Sequence, residues 1–240
     1  MDVSSSGLGR GKFLRSAGIG IAVAAVTGGK MDRPAWAAGG PAPPMAASTP
    51  HEALELLKAG NERFATDQST CGPLTSRRLQ LTQGQSPFAI VLGCSDSRVP
   101  IETIFDQVPG NIFVVRVAGN FLNDDDFGSI EYAIANLKSK LILVLGHEAC
   151  GAVTAAVDYV KNGTRQPGHI QSLVDAIAPA VKATQGKPGD WIANAIEENV
   201  KLNVAELTAQ STIVADAVKS GDVEIAGGVY DLHTGRVAFL

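Results

Sequence analysis

Long hydrophobic runs, clustered basic residues and paired cysteines are all scarce in this 240-residue chain. Each scarcity closes off a class of protein. The best candidate for a membrane span, residues 17–26, is short and interrupted by Gly18 and Gly20, whereas a spanning helix needs about 20 apolar residues. No stable membrane span is expected. Basic residues number 20 against 24 acidic ones and form no cluster that could track a phosphate backbone, so nucleic acid is not an expected partner. The only cysteines are Cys71, Cys94 and Cys150; a disulfide-stapled domain would show an even number at close spacing. No internal repeat is visible.

What is present begins with an address. Arg10, Lys12 and Arg15 form a basic start, the mild apolar run follows, and Ala35-Trp36-Ala37 offers a small-x-small cleavage site. That order is the order of an export signal, expected over residues 1–37 and placing the mature chain in a periplasm or lumen. Residues 10–15, Arg-Gly-Lys-Phe-Leu-Arg, also resemble a twin-arginine signal, with Gly11 where the second arginine is expected. The plain alternative is a disordered extension. Removing the segment takes away five basic and two acidic residues and leaves the chain more acidic than its formal charge of −4. Residues 38–48, rich in glycine and proline, read as a linker, and residues 49–240 as one domain of ordinary size.

Within the domain, Thr49-Pro50-x-Glu52 predicts a helix start, with threonine as N-cap, proline at the first helical position and glutamate closing a capping box. The helix runs to about residue 65, with Leu54, Leu57 and Phe64 toward its apolar face. A short helix is expected around residues 77–83. Apolar runs ending in glycine predict buried strands at 87–93 and 141–145, with another strand at 111–117 broken by Ala118-Gly119-Asn120. Helices are expected over 100–105, 127–137, 150–161, 168–184 and 190–219. Asp124-Asp125-Asp126 reads as a solvated turn and helix N-terminus, where carboxylates offset the helix dipole, and Asn162-Gly163 as a turn. Residues 223–232 and 236–240 read as a hairpin. The alternation implies an α/β fold: a mainly parallel central sheet with an antiparallel edge strand, flanked by helices.

Two segments carry chemistry. Cys94-Ser95-Asp96-Ser97-Arg98 closes one strand, and His147-Glu148-Ala149-Cys150 closes another. If the strands are neighbours, their carboxyl ends gather Cys94, His147 and Cys150 at the rim where open α/β sheets place ligands. A lone buried cysteine is usually a small hydrophobe, but two thiolates and an imidazole make a three-ligand zinc set with a fourth position open. Asp96 and Arg98, two residues apart, can form a charge-assisted pair that keeps the carboxylate ionised beside such a metal. Without the neighbouring cysteine the pair would read as an ordinary loop salt bridge. His51, His169 and His233 read as solvated, Phe64, Phe121 and Tyr132 as core or interface, and Cys71 as a spare thiol.

These two motifs, in this order, resemble the β-class carbonic anhydrases. The likeness extends to Gly60-Asn61-x-Arg63-Phe64, to residues 109–116 and to Ser129-Ile130-Glu131-Tyr132-Ala133. It implies one Zn²⁺ per subunit on Cys94, His147 and Cys150, and catalytic Asp96 and Arg98. It also implies CO₂ and bicarbonate as substrates, hydrated reversibly by zinc-hydroxide attack, with Val153 and Phe121 as candidates for the apolar wall. Gln107, supplied by an adjoining subunit, and the Gly151 N–H are the implied substrate-binding groups. Val91 stands where a tryptophan marks the family's inhibitory bicarbonate pocket, which implies an open site. A homodimer or higher homo-oligomer that exchanges N-terminal helices is implied, the helix from Pro50 being the matching element. The rival readings are a COS or CS₂ hydrolase on the same fold and a non-catalytic zinc- or bicarbonate-binding protein.

Overall fold

The computed structural model describes residues 46–70 and 74–240. The expected export signal, the start of the linker and Cys71 lie outside the described residues. Five strands, β1 (Ala89–Gly93), β2 (Ile112–Arg116), β3 (Leu141–His147), β4 (Glu224–Tyr230) and β5 (Val237–Phe239), form one sheet in the order β2-β1-β3-β4-β5. All pairings are parallel except β4 with β5. The fold class and the antiparallel edge are as the sequence predicts.

Period-2 alternation on β1 and β3 feeds two cores. Ala89, Val91, Leu141, Leu143 and Leu145 join Leu57 of α1 (Pro50–Ala65) and Ile101 and Ile104 of α3 (Ile101–Ile104) on one side. Ile90, Leu92, Ile142 and Val144 meet Ile130 of α4 (Asp124–Ala135), Val200 and Leu207 of α7 (Trp191–Gln210) and Val214 of α8 (Thr212–Lys219) on the other. Burial of both faces is the condition under which such short strands read as continuous apolar runs. Between α1 and β1 lies α2 (Thr75–Gln80), continued by a 3-10 turn at Leu81–Gln83. The helices α5 (Gly151–Asn162) and α6 (Ile170–Ala183) complete the chain order. No described helix is long and apolar enough to cross a membrane.

The capping box at Thr49 and Glu52 is present, and Gly163 ends α5 in the left-handed region. Four expectations shift. The linker's end turns inward, with Ala47 packed in the α1-side core. β3 runs two residues further than expected, because Gly146 and His147 pair with Val229 and Tyr230. Helix α4 starts three residues earlier, where Asn123 and Asp126 form a capping box that takes the acidic run into its first turn. The helical stretch 190–219 is two helices, broken at Ser211, which is extended at φ −113° and ψ 116°.

Ser211 explains the break. Its hydroxyl caps α8 by accepting from Val214 N at 3.2 Å and donates to Glu131 Oε1 on α4 at 2.7 Å. A buried cap bonded to a carboxylate from another helix outweighs the propensity to continue the helix. Ser211→Ala is expected to lower stability by about 1–2 kcal/mol, read as a fall in the urea midpoint at unchanged slope.

Candidate metal centre

β1 and β3 lie side by side with Gly93 opposite Leu145, so the residues that follow both strands emerge at one rim. Cys94 is the first residue after β1, His147 is the last of β3, and Cys150 is the N-cap of α5. One ligand atom from each lies within 4.8 Å of the others. All three are buried, His147 completely. Ala149, between His147 and Cys150, sits in the left-handed region at φ 52°, a conformation that costs a non-glycine residue on the order of 1 kcal/mol or more.

The donor set fits a zinc ion. His147 Nδ1 lies 2.9 Å from the carbonyl oxygen of Glu148, which can only accept, so Nδ1 carries the proton and the lone pair is on Nε2. Nε2 is buried and has no hydrogen-bond partner; an orphaned acceptor aimed among two sulfurs is what a metal satisfies. The thiols are arranged for it. The adjacent Cys150 and the Gly119 N–H pull the Cys94 thiol well below the ordinary thiol range against the effect of burial. Cys150, buried beside that sulfur, is shifted the opposite way.

Asp96 and Arg98 stand beside this trio. Arg98 Nε and Nη2 donate to the two carboxylate oxygens of Asp96 at 3.0 and 2.7 Å, and the Arg98 backbone N–H adds a third bond at 2.9 Å. These bonds hold the Asp96 carboxyl far below the usual carboxylate range. Asp96 Oδ2 lies 3.9 Å from His147 Nε2, adjacent to it but beyond hydrogen-bonding reach. Arg98 also reaches the Ala149 carbonyl at 3.3 Å, which ties the two motif loops together.

The remaining expected residues divide. Val153 and Phe121 join Cys94 and Cys150 in a third apolar cluster. Gly151 opens α5 and is exposed, and a side chain added there would meet nothing within 4 Å. Gln107 does not reach the trio within this chain: its amide donates to the Phe105 carbonyl at 3.0 Å and accepts from Asn111 at 3.0 Å. Helix α1, the element matched to exchange between subunits, packs on its own chain's sheet, with Leu57 in that core. Val91 is wholly buried. Tyr132 is half exposed, its ring 6.4 Å from that of Phe113. His233 is exposed as expected, yet it donates to Glu148 Oε2 at 2.9 Å, and that carboxylate raises its pKa.

Sequence reasoning missed the residues that hold the loops. Arg116, at the end of β2, donates to the carbonyls of Cys94 and Asp96 at 2.8 and 2.7 Å. Gly119 N donates to Cys94 Sγ at 3.2 Å, and Asn199 on α7 donates to the Gly119 carbonyl at 2.9 Å. The signal available was a cation closing an apolar strand and two asparagines, Asn199 and Asn203, at helical spacing on the same face of α7 as Ile196, Val200 and Leu207.

A parallel α/β sheet with a Cys-His-Cys group that could hold a metal ion and an Asp-Arg pair at the carboxyl ends of two adjacent strands has the make-up of an enzyme site, with three candidate donors where a closed structural zinc site has four. The sequence comparisons give its lineage. The carbonic anhydrase family profile matches residues 89–237. Carbonic anhydrase 2 of Mycobacterium tuberculosis (strain ATCC 25618 / H37Rv) is 38% identical over 190 residues, covering 79% of this chain and 92% of its own length. A carbonic anhydrase of Mycolicibacterium smegmatis is 40% identical over 199 residues, covering 79% and 93%. Among solved structures, one of two tetrameric β-carbonic anhydrases from Sordaria macrospora superposes with a TM-score of 0.60 at 26% identity, covering 79% of this chain and 95% of that one. The chain belongs to the carbonic anhydrase family, in its β class, a family of carbonate dehydratases.

Proposed function

We propose that this chain is a zinc-dependent carbonate dehydratase that interconverts CO₂ with bicarbonate and a proton. The observation that carries the reading is the unpartnered His147 Nε2 buried between Cys94 and Cys150, with Asp96 held by Arg98 at its side. Cys94, His147 and Cys150 would hold the ion. Zinc bound there supplies Lewis-acid activation of water to hydroxide near neutral pH, chemistry for which carbonic anhydrases are the standard example.

The chain's own residues do the rest. Asp96, kept ionised by the Arg98 fork, accepts a hydrogen bond from the attacking oxygen at Oδ2 and fixes its orientation. Arg98 keeps that carboxylate from turning toward His147. Val153 and Phe121 present an apolar wall on which CO₂ lodges and from which water is excluded. The Gly151 N–H belongs to the exposed first turn of α5, where an oxygen of bicarbonate can accept from it, helped by the helix dipole. Gln107 adds an amide donor only across a subunit interface. That use of Gln107 implies at least a dimer, and the tetramer named for the Sordaria macrospora relatives is compatible with it. The basic, apolar and small-residue order of residues 1–37 supports export to a periplasm or lumen.

The test is stopped-flow CO₂ hydration on the chain from Ala38, with zinc content measured, beside Asp96→Ala. The variant is expected to keep its zinc and lose about 10²–10⁴-fold in kcat, the range of a positioned proton-handling group. Stoichiometric zinc without CO₂ turnover between pH 7 and 9 would overturn the reading.

A further inference from the structure

A buried chain of amides runs from α7 to the metal-binding thiol. Asn199 is 2% exposed and donates from Nδ2 to the Gly119 carbonyl at 2.9 Å. Gly119 in turn donates its N–H to Cys94 Sγ at 3.2 Å. Asn199 is itself held by Asn203, 4% exposed, whose Nδ2 donates to the Asn199 carbonyl at 2.8 Å while its Oδ1 accepts from Leu122 N at 2.9 Å. Both ends of the segment from Gly119 to Leu122 are thus tied to one face of α7. The near side is tied to β1: Val117 N donates to Gly93 O at 3.2 Å and Ser95 N to Val117 O at 3.3 Å.

We propose that Asn199 is a positioning residue that aims the Gly119 N–H at the Cys94 sulfur and thereby tunes the donor strength of that thiolate; the proposal rests on the zinc reading above. Gly119 has φ +91°, where only glycine is unstrained. The same freedom that admits the conformation gives the residue little reason to keep it. A Cβ there would be strained at this φ and would lie 2.4 Å from Ile177 Cδ1 and 3.2 Å from Ala152 Cβ, so a larger residue is a poor source of the stiffness. The restraint has to come from outside the loop, and the Asn199 amide is the side chain that grips the Gly119 carbonyl. Buried and shielded from water, that bond acts at full strength, and its loss would strand a buried carbonyl. An N–H donated to a metal-bound thiolate draws charge off the sulfur. It leaves the metal more electrophilic, the opposite sense to a carboxylate that accepts from a ligating histidine and raises its basicity.

The test uses the full chain loaded with ¹¹³Cd²⁺ or Co²⁺ in place of zinc. In the wild type, a ¹H–¹¹³Cd correlation should show the Cβ protons of Cys94 and Cys150. It should also show the Gly119 amide proton, coupled through its hydrogen bond to sulfur. In Asn199→Leu, of similar volume and with no donor, the cysteine signals should persist and the Gly119 signal vanish. The sulfur-to-cobalt charge-transfer band should move to longer wavelength, and zinc affinity by chelator competition should fall about tenfold. Asn199→Ser, whose hydroxyl is too short to reach the Gly119 carbonyl, is the milder variant should the leucine fail to fold, and it should behave alike. A merely structural Asn199 would lower thermal stability and leave the Gly119 coupling and the cobalt band unmoved, which would overturn the proposal. A silent Gly119 amide in the wild type beside clear cysteine couplings would sink it alone. Absence of the cysteine couplings would take down the metal reading with it.

Discussion

Replacing Cys94 with alanine is expected to leave a folded protein that has lost its zinc and its CO₂ turnover together. The fold survives because the change removes a single atom after the end of β1, while the β1–β3 pairing from Ala89 to Gly93 is untouched; a cavity of that size costs about 1 kcal/mol. The metal does not survive. Cys94 is one of the three donors whose ligand atoms lie within 4.8 Å of one another, and its sulfur is the one that accepts the Gly119 N–H. Loss of a group that merely buttresses a ligand costs roughly 10–100-fold in metal affinity, so loss of this ligand should exceed that range. Metal analysis after dialysis against a weak chelator, with stopped-flow hydration on the same sample, checks it. A Cys94→Ala protein with near-stoichiometric zinc and wild-type turnover would show that the ion sits elsewhere and that the trio is a packing cluster.

The trio was legible before any coordinates because its members close apolar runs, and apolar runs ending in glycine betray the carboxyl ends of buried parallel strands. Asp96 and Arg98 were legible for a related reason: two residues apart on a short loop, they have few partners other than each other. What lay hidden is what acts across long separations in sequence. Ser211 interrupts a good helical pattern because Glu131, eighty residues earlier, offers it a carboxylate. Asn199 looks like any polar residue on an amphipathic helix until the Gly119 carbonyl appears opposite it. Gln107 carries no local pattern that marks a binding residue, and within a single chain its amide has the local partners Phe105 and Asn111. Periodicity reports which face a residue occupies, and it carries no information about which distant backbone group meets it there.

The same lesson gives the Gly60-Asn61-x-Arg63 motif its physical sense, and with it the second large expected effect. In isolation Gly60 is a flaw in α1, worth about 1 kcal/mol of lost helix stability relative to alanine. On propensity alone, Gly60→Ala should therefore stabilise. The tertiary contact reverses the sign: a Cβ at position 60 would lie 1.9 Å from the Phe105 carbonyl oxygen and 2.8 Å from its carbon. Backbone cannot rotate away as a flexible side chain can. To accept the methyl, α1 must lift from α3, and the neighbours of Gly60 lift with it. Asn61 would lose its bonds to the carbonyls of Ile104 and Gly235 and from the Val237 N–H. Arg63 would lose Asp106, a carboxylate with no exposed side-chain surface. Gly60→Ala is therefore expected to destabilise by about 3 kcal/mol or more, at the upper end of overpacking costs. Urea unfolding beside Ala59→Gly separates the two effects, since position 59 is exposed and that change should cost only the propensity of about 1 kcal/mol. An equal or higher midpoint for Gly60→Ala would mean that α1 does not lie against α3 in solution, as it would not if the helix were exchanged onto a second subunit.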